Sequence, residues 1–255
     1  MRLAIALVCL AGVTSSQAAT VPSSMRPGLG PGSIREGVDA DRAPWRGVVR
    51  VQTEIGLRCT GALIGPRVVL TAAHCLFGRG TGRLVRPGSI HVLAGYSHGD
   101  YAGHARAISV QTGPGFAVGA DGQPMAGSRP DTDWALLTLD AALGTADWIL
   151  PLVDPVPASG TPAMLGGYEQ DRAQVIVADV ACSITGIVRD GGATMLRHSC
   201  AGTRGVSGGP LLVRVPGGGW GIAGIASLAG VGVPGGYAVP AAAITASRAP
   251  SAAGR

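Results

Sequence analysis

The sequence predicts an all-β protein, and three observations carry that prediction. Of its 255 residues, 42 are Gly and 18 are Pro, so turn formers recur too often for a helical architecture. Apolar residues come in short runs, several with period-two alternation, as in Val48–Thr53, Ser89–Tyr96, Ala105–Val110 and Gln174–Ile184. Only 14% of the residues are charged, and few long polar helical patterns break the series. The length suits one large domain or two smaller ones that share an interface.

Charge narrows the partners. The net charge of +5 comes from arginine, because the chain has no lysine. These arginines are scattered singly, without the basic runs interleaved with aromatics that a nucleic-acid groove requires, so no nucleic acid is expected.

At the N-terminus, Arg2, the apolar run Leu3–Val13 and Ser16-Gln17-Ala18 read as an export signal over residues 1–18, cleaved after Ala18. The run is far shorter than the ~20 residues that span a bilayer, so no membrane anchor is expected and the protein should be secreted or periplasmic. Removing Cys9 leaves Cys59, Cys75, Cys182 and Cys200, an even set in an oxidising compartment. Three pairings are formally possible; the spacing favours Cys59 with Cys75 and Cys182 with Cys200. A zinc site is the weaker reading, because no pair has structural zinc spacing. Residues 19–44, rich in Pro, Gly and Ser, are expected to form an extended lead-in or pro-segment.

From Trp45 the texture changes. Val48–Thr53 and Arg58–Ile64 read as a hairpin, and Gly65-Pro66 turns into Val68–Leu70, which runs directly into Thr71-Ala-Ala-His-Cys75. The segment Cys59-Thr-Gly-Ala-Leu-Ile-Gly-Pro-Arg-Val-Val-Leu-Thr-Ala-Ala-His-Cys75 resembles the histidine segment of exported, bacterial-type trypsin-like serine proteases. The resemblance makes His74 the general base, its turn fixed by a Cys59–Cys75 bridge. His91, His98 and His104 lack partners at ligand spacing and read as surface or turn residues. Residues 112–130 read as a loop overhanging a cleft. In Arg129–Asp140 the family pattern of Asp, one residue, then Ala-Leu-Leu selects Asp133 as the residue that orients His74. Asp131 is the competitor, read as a loop residue, and Asp140 as a turn former.

The glycine-dense stretch His198–Leu212 supplies the third part. Gly205-Val-Ser-Gly-Gly-Pro210 resembles the family's nucleophile motif, with Ser207 as nucleophile and the Gly205 and Ser207 N–H groups as oxyanion hole. The order His, Asp, Ser is that of the chymotrypsin type. The resemblance, covering residues 45–246, implies two antiparallel six-stranded β-barrels with a short C-terminal helix. It places the first barrel at 45–150, the second at 151–246 after a crossover containing Pro151, Pro155 and Pro157, and a flexible tail at 247–255.

Carried over position by position, Ala201 falls at the base of the primary pocket, Ser227 binds substrate backbone, and Gly235 keeps the far wall open. Arg204 lies at the rim, facing water. No aspartate lies between His198 and Ser207, which disfavours Arg or Lys at the cleavage site and leaves an apolar or small residue expected. Val206 replaces the aspartate that pairs with a new N-terminus in zymogens, so activity is expected not to need that insertion. The implied protein is a monomeric secreted serine endopeptidase acting on protein or peptide substrates without metal or cofactor. The alternative is an inactive homologue serving as a binding module; a secreted β-sandwich adhesin would leave the His74 segment unexplained.

Overall fold

The computed structural model describes residues 26–248. The expected export signal, the start of the lead-in and residues 249–255 of the expected tail lie outside the described residues. In chain order, a two-residue strand β1 (Glu36–Gly37) is followed by β2 (Val48–Thr53), β3 (Arg58–Gly65) and β4 (Val68–Thr71). After a small hairpin, β5 (Phe77–Gly78) and β6 (Arg83–Leu84), come β7 (Ile90–Ala94), β8 (Gly103–Thr112) and β9 (Ala135–Leu139). Strands β2, β3, β4, β9, β8 and β7 pair antiparallel in that order, and β7 returns to β2 to close a six-stranded barrel. The alternation seen in the sequence builds its core: Val49 and Val51 of β2 point inward against Leu63, Val69, Ile90 and Leu137, while Val48 faces the other way.

The second half repeats the plan with β10 (Pro162–Gly167), β11 (Val177–Asp190), β12 (Ala193–His198), β13 (Pro210–Arg214), β14 (Trp220–Ala229) and β15 (Gly236–Pro240). Their order is β11, β10, β13, β14, β15, β12, and pairing of β12 with β11 closes the second barrel. Leu165, Ile184, Leu196, Leu211 and Ala238 fill it. The last described element is the short helix α1 (Ala241–Arg248), whose Ile244 is fully buried. A third apolar cluster takes residues from both barrels, Trp45, Leu70 and Trp134 meeting Met164, Tyr168, Leu212 and Ile225. Each such side chain contributes about 1.5–3 kcal/mol on burial, so the two barrels are fixed face to face by a shared core. The disulfides are Cys59–Cys75 and Cys182–Cys200, one in each half.

The part of the lead-in that is described runs along the second barrel. Gly28 N–H donates to Gly230 O, and Gly202 N–H donates to Gly28 O, so this strap bridges two loops of that barrel. Further on, β1 adds to the edge of β11, with Glu36 opposite Ala178. Between them Arg35 ion-pairs with Glu169 and, at 2.8 Å, with Asp171. The Glu169 side chain is fully buried and also accepts the Thr203 N–H at 2.8 Å.

Burial pushes the Glu169 carboxyl up to about 7, against the opposing pull of Arg35 and of the Thr203 N–H. The folded protein therefore holds this proton more tightly than the unfolded chain, and the stability due to Glu169 falls as pH rises from its ordinary 4.5 toward 7. Arg35→Met removes the counterion, with a cost of about 3–5 kcal/mol expected at pH 8, where the carboxylate is charged. At pH 5 the protonated acid needs its partner less and the cost should shrink. Urea unfolding of both proteins at the two pH values measures this; equal costs would contradict it.

Candidate active site

Strand β4 delivers the chain into a short 3-10 turn, Ala73–Leu76, that carries His74, and Cys75 in the same turn is bonded to Cys59 on β3. Asp133 follows another 3-10 turn, Pro130–Thr132, just before β9. Because β4 and β9 are paired neighbours, the two residues meet. Asp133 Oδ1 accepts the His74 backbone N–H at 2.8 Å, and Oδ2 lies 2.7 Å from His74 Nδ1. Oδ2 also accepts the Ser227 hydroxyl at 2.6 Å. With Asp133 only 3% exposed, these donors replace water around the carboxylate. Burial alone would lower the His74 pKa, but the facing carboxylate outweighs it against the further opposition of Arg79, and the ring titrates above the ordinary imidazole value.

Asp131 takes a different position. Arg129 pairs with it at 2.7 Å and the Thr194 N–H reaches it at 2.9 Å, pinning the loop to β12. Burial works against its charge, yet those two hydrogen bonds hold its carboxyl below the ordinary range.

Ser207 sits in the turn between Cys200 and β13. Gly205 and Gly208 on either side have φ of +98° and +78°, a region that only glycine enters freely. Space excludes larger residues as well, since a Cβ at Gly205 would strike Tyr168 O and one at Gly208 would strike Thr60 O. Thr60, on β3 beside Cys59, organises the turn. Its N–H donates to Ser207 O at 3.0 Å and its hydroxyl to Gly205 O at 2.8 Å, while the hydroxyl oxygen accepts Tyr168 N–H at 2.9 Å. The Gly205 and Ser207 N–H groups have no protein acceptor among the described residues, as expected of donors reserved for a ligand. Val206, 6% exposed, packs with Leu165, Cys200 and Ala226, so apolar burial anchors the turn at this position.

His74, Asp133, Ser207 and Ser227 line one cavity of about 600 Å³ between the barrels. Val118, Gly122, Gln123 and Pro124, from the loop over residues 112–130, line its far side. Gly235 and Arg204 border it too. At the pocket base the structure differs from simple position counting. Ala201 is buried, with its N–H donating to Asp179 at 2.8 Å, and the lining on this side comes from His198, Gly202 and Thr203. Sequence reasoning missed His198, Thr203 and the strap residue Pro27, which also borders the cavity. The interval from Cys200 to Gly205 is shorter than in trypsin, and this is where counting positions back from Ser207 loses its footing.

Cys59, His74 and Cys75 gather their donor atoms within 4.8 Å, but the two sulfurs are bonded to each other and hold no thiolate for a metal. Away from the cavity, His91 and His104 lie on adjacent strands with ring nitrogens 2.9 Å apart.

A sequence profile of the Trypsin family matches residues 34–248. No curated protein sequence matches the chain. Among solved structures, a Glu endopeptidase in complex with MPD is similar, with a TM-score of 0.69 and 19% identity over 87% of this chain and 99% of that one. At that identity the likeness speaks for the fold, two barrels enclosing a cleft. Profile, fold and the meeting of His74 with Asp133 beside Ser207 converge, and the chain belongs to the trypsin family of serine proteases.

Proposed function

We propose that this protein is an exported, monomeric endopeptidase that cuts peptide bonds through His74, Asp133 and Ser207 and an acyl-enzyme intermediate. One observation carries the reading: Asp133 grips both the backbone and the ring of His74, in the cavity where Ser207 sits on a turn with two unengaged N–H groups. Asp133 takes the Nδ1–H, which leaves Nε2 as the basic nitrogen. Nε2 removes the Ser207 proton as Oγ attacks the scissile carbonyl carbon, and the resulting oxyanion is received by the Gly205 and Ser207 N–H groups. The imidazolium, stabilised by Asp133, returns its proton to the leaving amine; water then repeats the sequence on the acyl-enzyme. Ser227, whose hydroxyl holds Asp133, is placed to present backbone to an extended substrate. Leu228, half exposed and lining the cavity, offers apolar contact to residues flanking the cut. The two disulfides support an oxidising destination.

In this reading residues 1–18 are the removed signal, and the barrels divide near residue 150. The buried Val206 leaves no acidic partner for a new N-terminus at that position, so activity should survive without such an insertion.

His74 must be neutral to act, so kcat/KM should rise with pH through an inflection above the ordinary imidazole value of 6.5. A pH profile on a short peptide substrate checks this, and an inflection below that value would contradict the Asp133 assignment. The reading as a whole is tested with a fluorophosphonate probe. Covalent labelling that maps to Ser207 is expected in the purified protein and should vanish in Ser207→Ala. Absence of labelling in folded wild-type protein would favour a binding module on the same scaffold.

A further inference from the structure

We propose that the pocket beside Ser207 receives an acidic side chain, recognised by His198 and Thr203, so that the enzyme cuts after Glu or Asp. This rests on the endopeptidase reading above. His198 ends β12 and is 5% exposed, yet among the described residues neither of its ring nitrogens has a hydrogen-bond partner. The Thr203 hydroxyl, 1% exposed, is equally unpartnered among the described residues. Both residues line the cavity that holds Ser207. Buried polar groups are almost always paired, so unpaired ones at the wall of a substrate cavity mark where a ligand completes the bonding. An imidazole N–H and a hydroxyl can both donate to a carboxylate.

The surrounding charges select the same ligand. Arg58, Arg79 and Arg204 line the cavity, and Asp133, the carboxylate among the lining residues, is occupied by His74 and Ser227. Glu169 accepts the Thr203 N–H, but it faces Arg35, which it shares with Asp171, and does not border the cavity. The strand partners of His198, Ile184 on β11 and Gly236 on β15, bring no charge. A cationic side chain would find no counterion here, and an apolar one would leave three buried polar atoms unpaired. Burial lowers the His198 pKa to about 4, so the empty pocket holds a neutral ring with one N–H. A carboxylate in contact favours a second proton, which turns the other nitrogen into a donor.

The mouth is shaped by the strap. Gly28 links Gly202, which lines the cavity, to Gly230, the residue after the lining Ala229, and Pro27 lines the cavity as well.

The test uses the purified protein and peptides that differ only in the residue before the cut: Glu, Asp, Gln, Leu or Arg. The acidic peptides are expected to exceed Gln in kcat/KM by at least ~10-fold, the scale of a charge-assisted hydrogen bond. His198→Gln should bring the Glu-to-Gln ratio toward one, and Thr203→Val should lower it in part. With wild type, KM for the Glu peptide should rise at alkaline pH more than KM for Gln, as the second proton becomes harder to hold. Equal use of Glu and Gln, or a preference for Leu or Arg, by protein whose Ser207 takes the fluorophosphonate would overturn the acidic pocket alone. Failure of wild type to label overturns the endopeptidase reading, and the pocket assignment falls with it. An unchanged Glu-to-Gln ratio in a labelled His198→Gln protein would remove His198 from the site. The wild-type profile decides the substrate class even where a variant does not fold.

Discussion

Ser207→Ala is expected to lower kcat on the order of 10⁶-fold while shifting stability by no more than about 0.5 kcal/mol. Among the described residues the Ser207 side chain supports no hydrogen bond of the fold; what Thr60 grips is its carbonyl oxygen, which alanine keeps. The loss is therefore of chemistry alone. Because nucleophile and base act as one unit, a His74→Ala, Ser207→Ala double variant should be no worse than either single one. Residual hydrolysis above the uncatalysed rate should persist, since the Gly205 and Ser207 N–H groups remain in place. Single-turnover kinetics and urea unfolding separate the two effects; a large loss of stability would show that the hydroxyl serves the fold.

Asp133→Asn should cost about 10⁴-fold in kcat with the backbone geometry retained. The carboxylate presents two acceptors, Oδ1 to the His74 N–H and Oδ2 to both the His74 ring and the Ser227 hydroxyl. An amide keeps one acceptor and places an NH₂ where the other stood. Holding the backbone N–H with its oxygen, the introduced amide would aim a donor at Nδ1 and force the ring into the tautomer whose Nε2 carries the proton. The base would then face Ser207 already protonated. Loss of the opposing charge also removes what raises the His74 pKa, so the acidic limb of the pH profile should move down. Burial and Arg79, which both act downward, would then prevail. A limb that stays in place would mean that another group orients His74.

What the sequence disclosed, and what it hid, follows a physical line. His74 and Asp133 were legible because each lies within a few residues of a strand whose pairing fixes it, β4 against β9. Ser207 was legible because its turn demands glycine at fixed offsets, which composition alone displays. The pocket base was not, because it depends on loop length. Between Cys200 and Ser207, Ala201 turns its N–H to Asp179 and does not line the cavity, while Thr203, with His198 from the end of β12, does. Nor was the strap legible as structure: β1 has only two residues, too few for any period to show. Part of its attachment to the second barrel comes through Arg35 and Glu169, which lie 134 residues apart in the chain.

Thr60 gives the molecule an order of events. The carbonyls it holds belong to the turn of the second barrel, but Thr60 itself belongs to the first, one residue from the disulfide that sets the His74 turn. The turn that presents the nucleophile is therefore completed only when both barrels have folded and met. A nascent chain with one barrel formed would have at most half of the proposed machinery, and partial opening of the interface would remove the proposed oxyanion hole and base together. On the proposed mechanism, inter-barrel docking would safeguard the cell that makes this protein, because cutting power would come into being only with the finished fold.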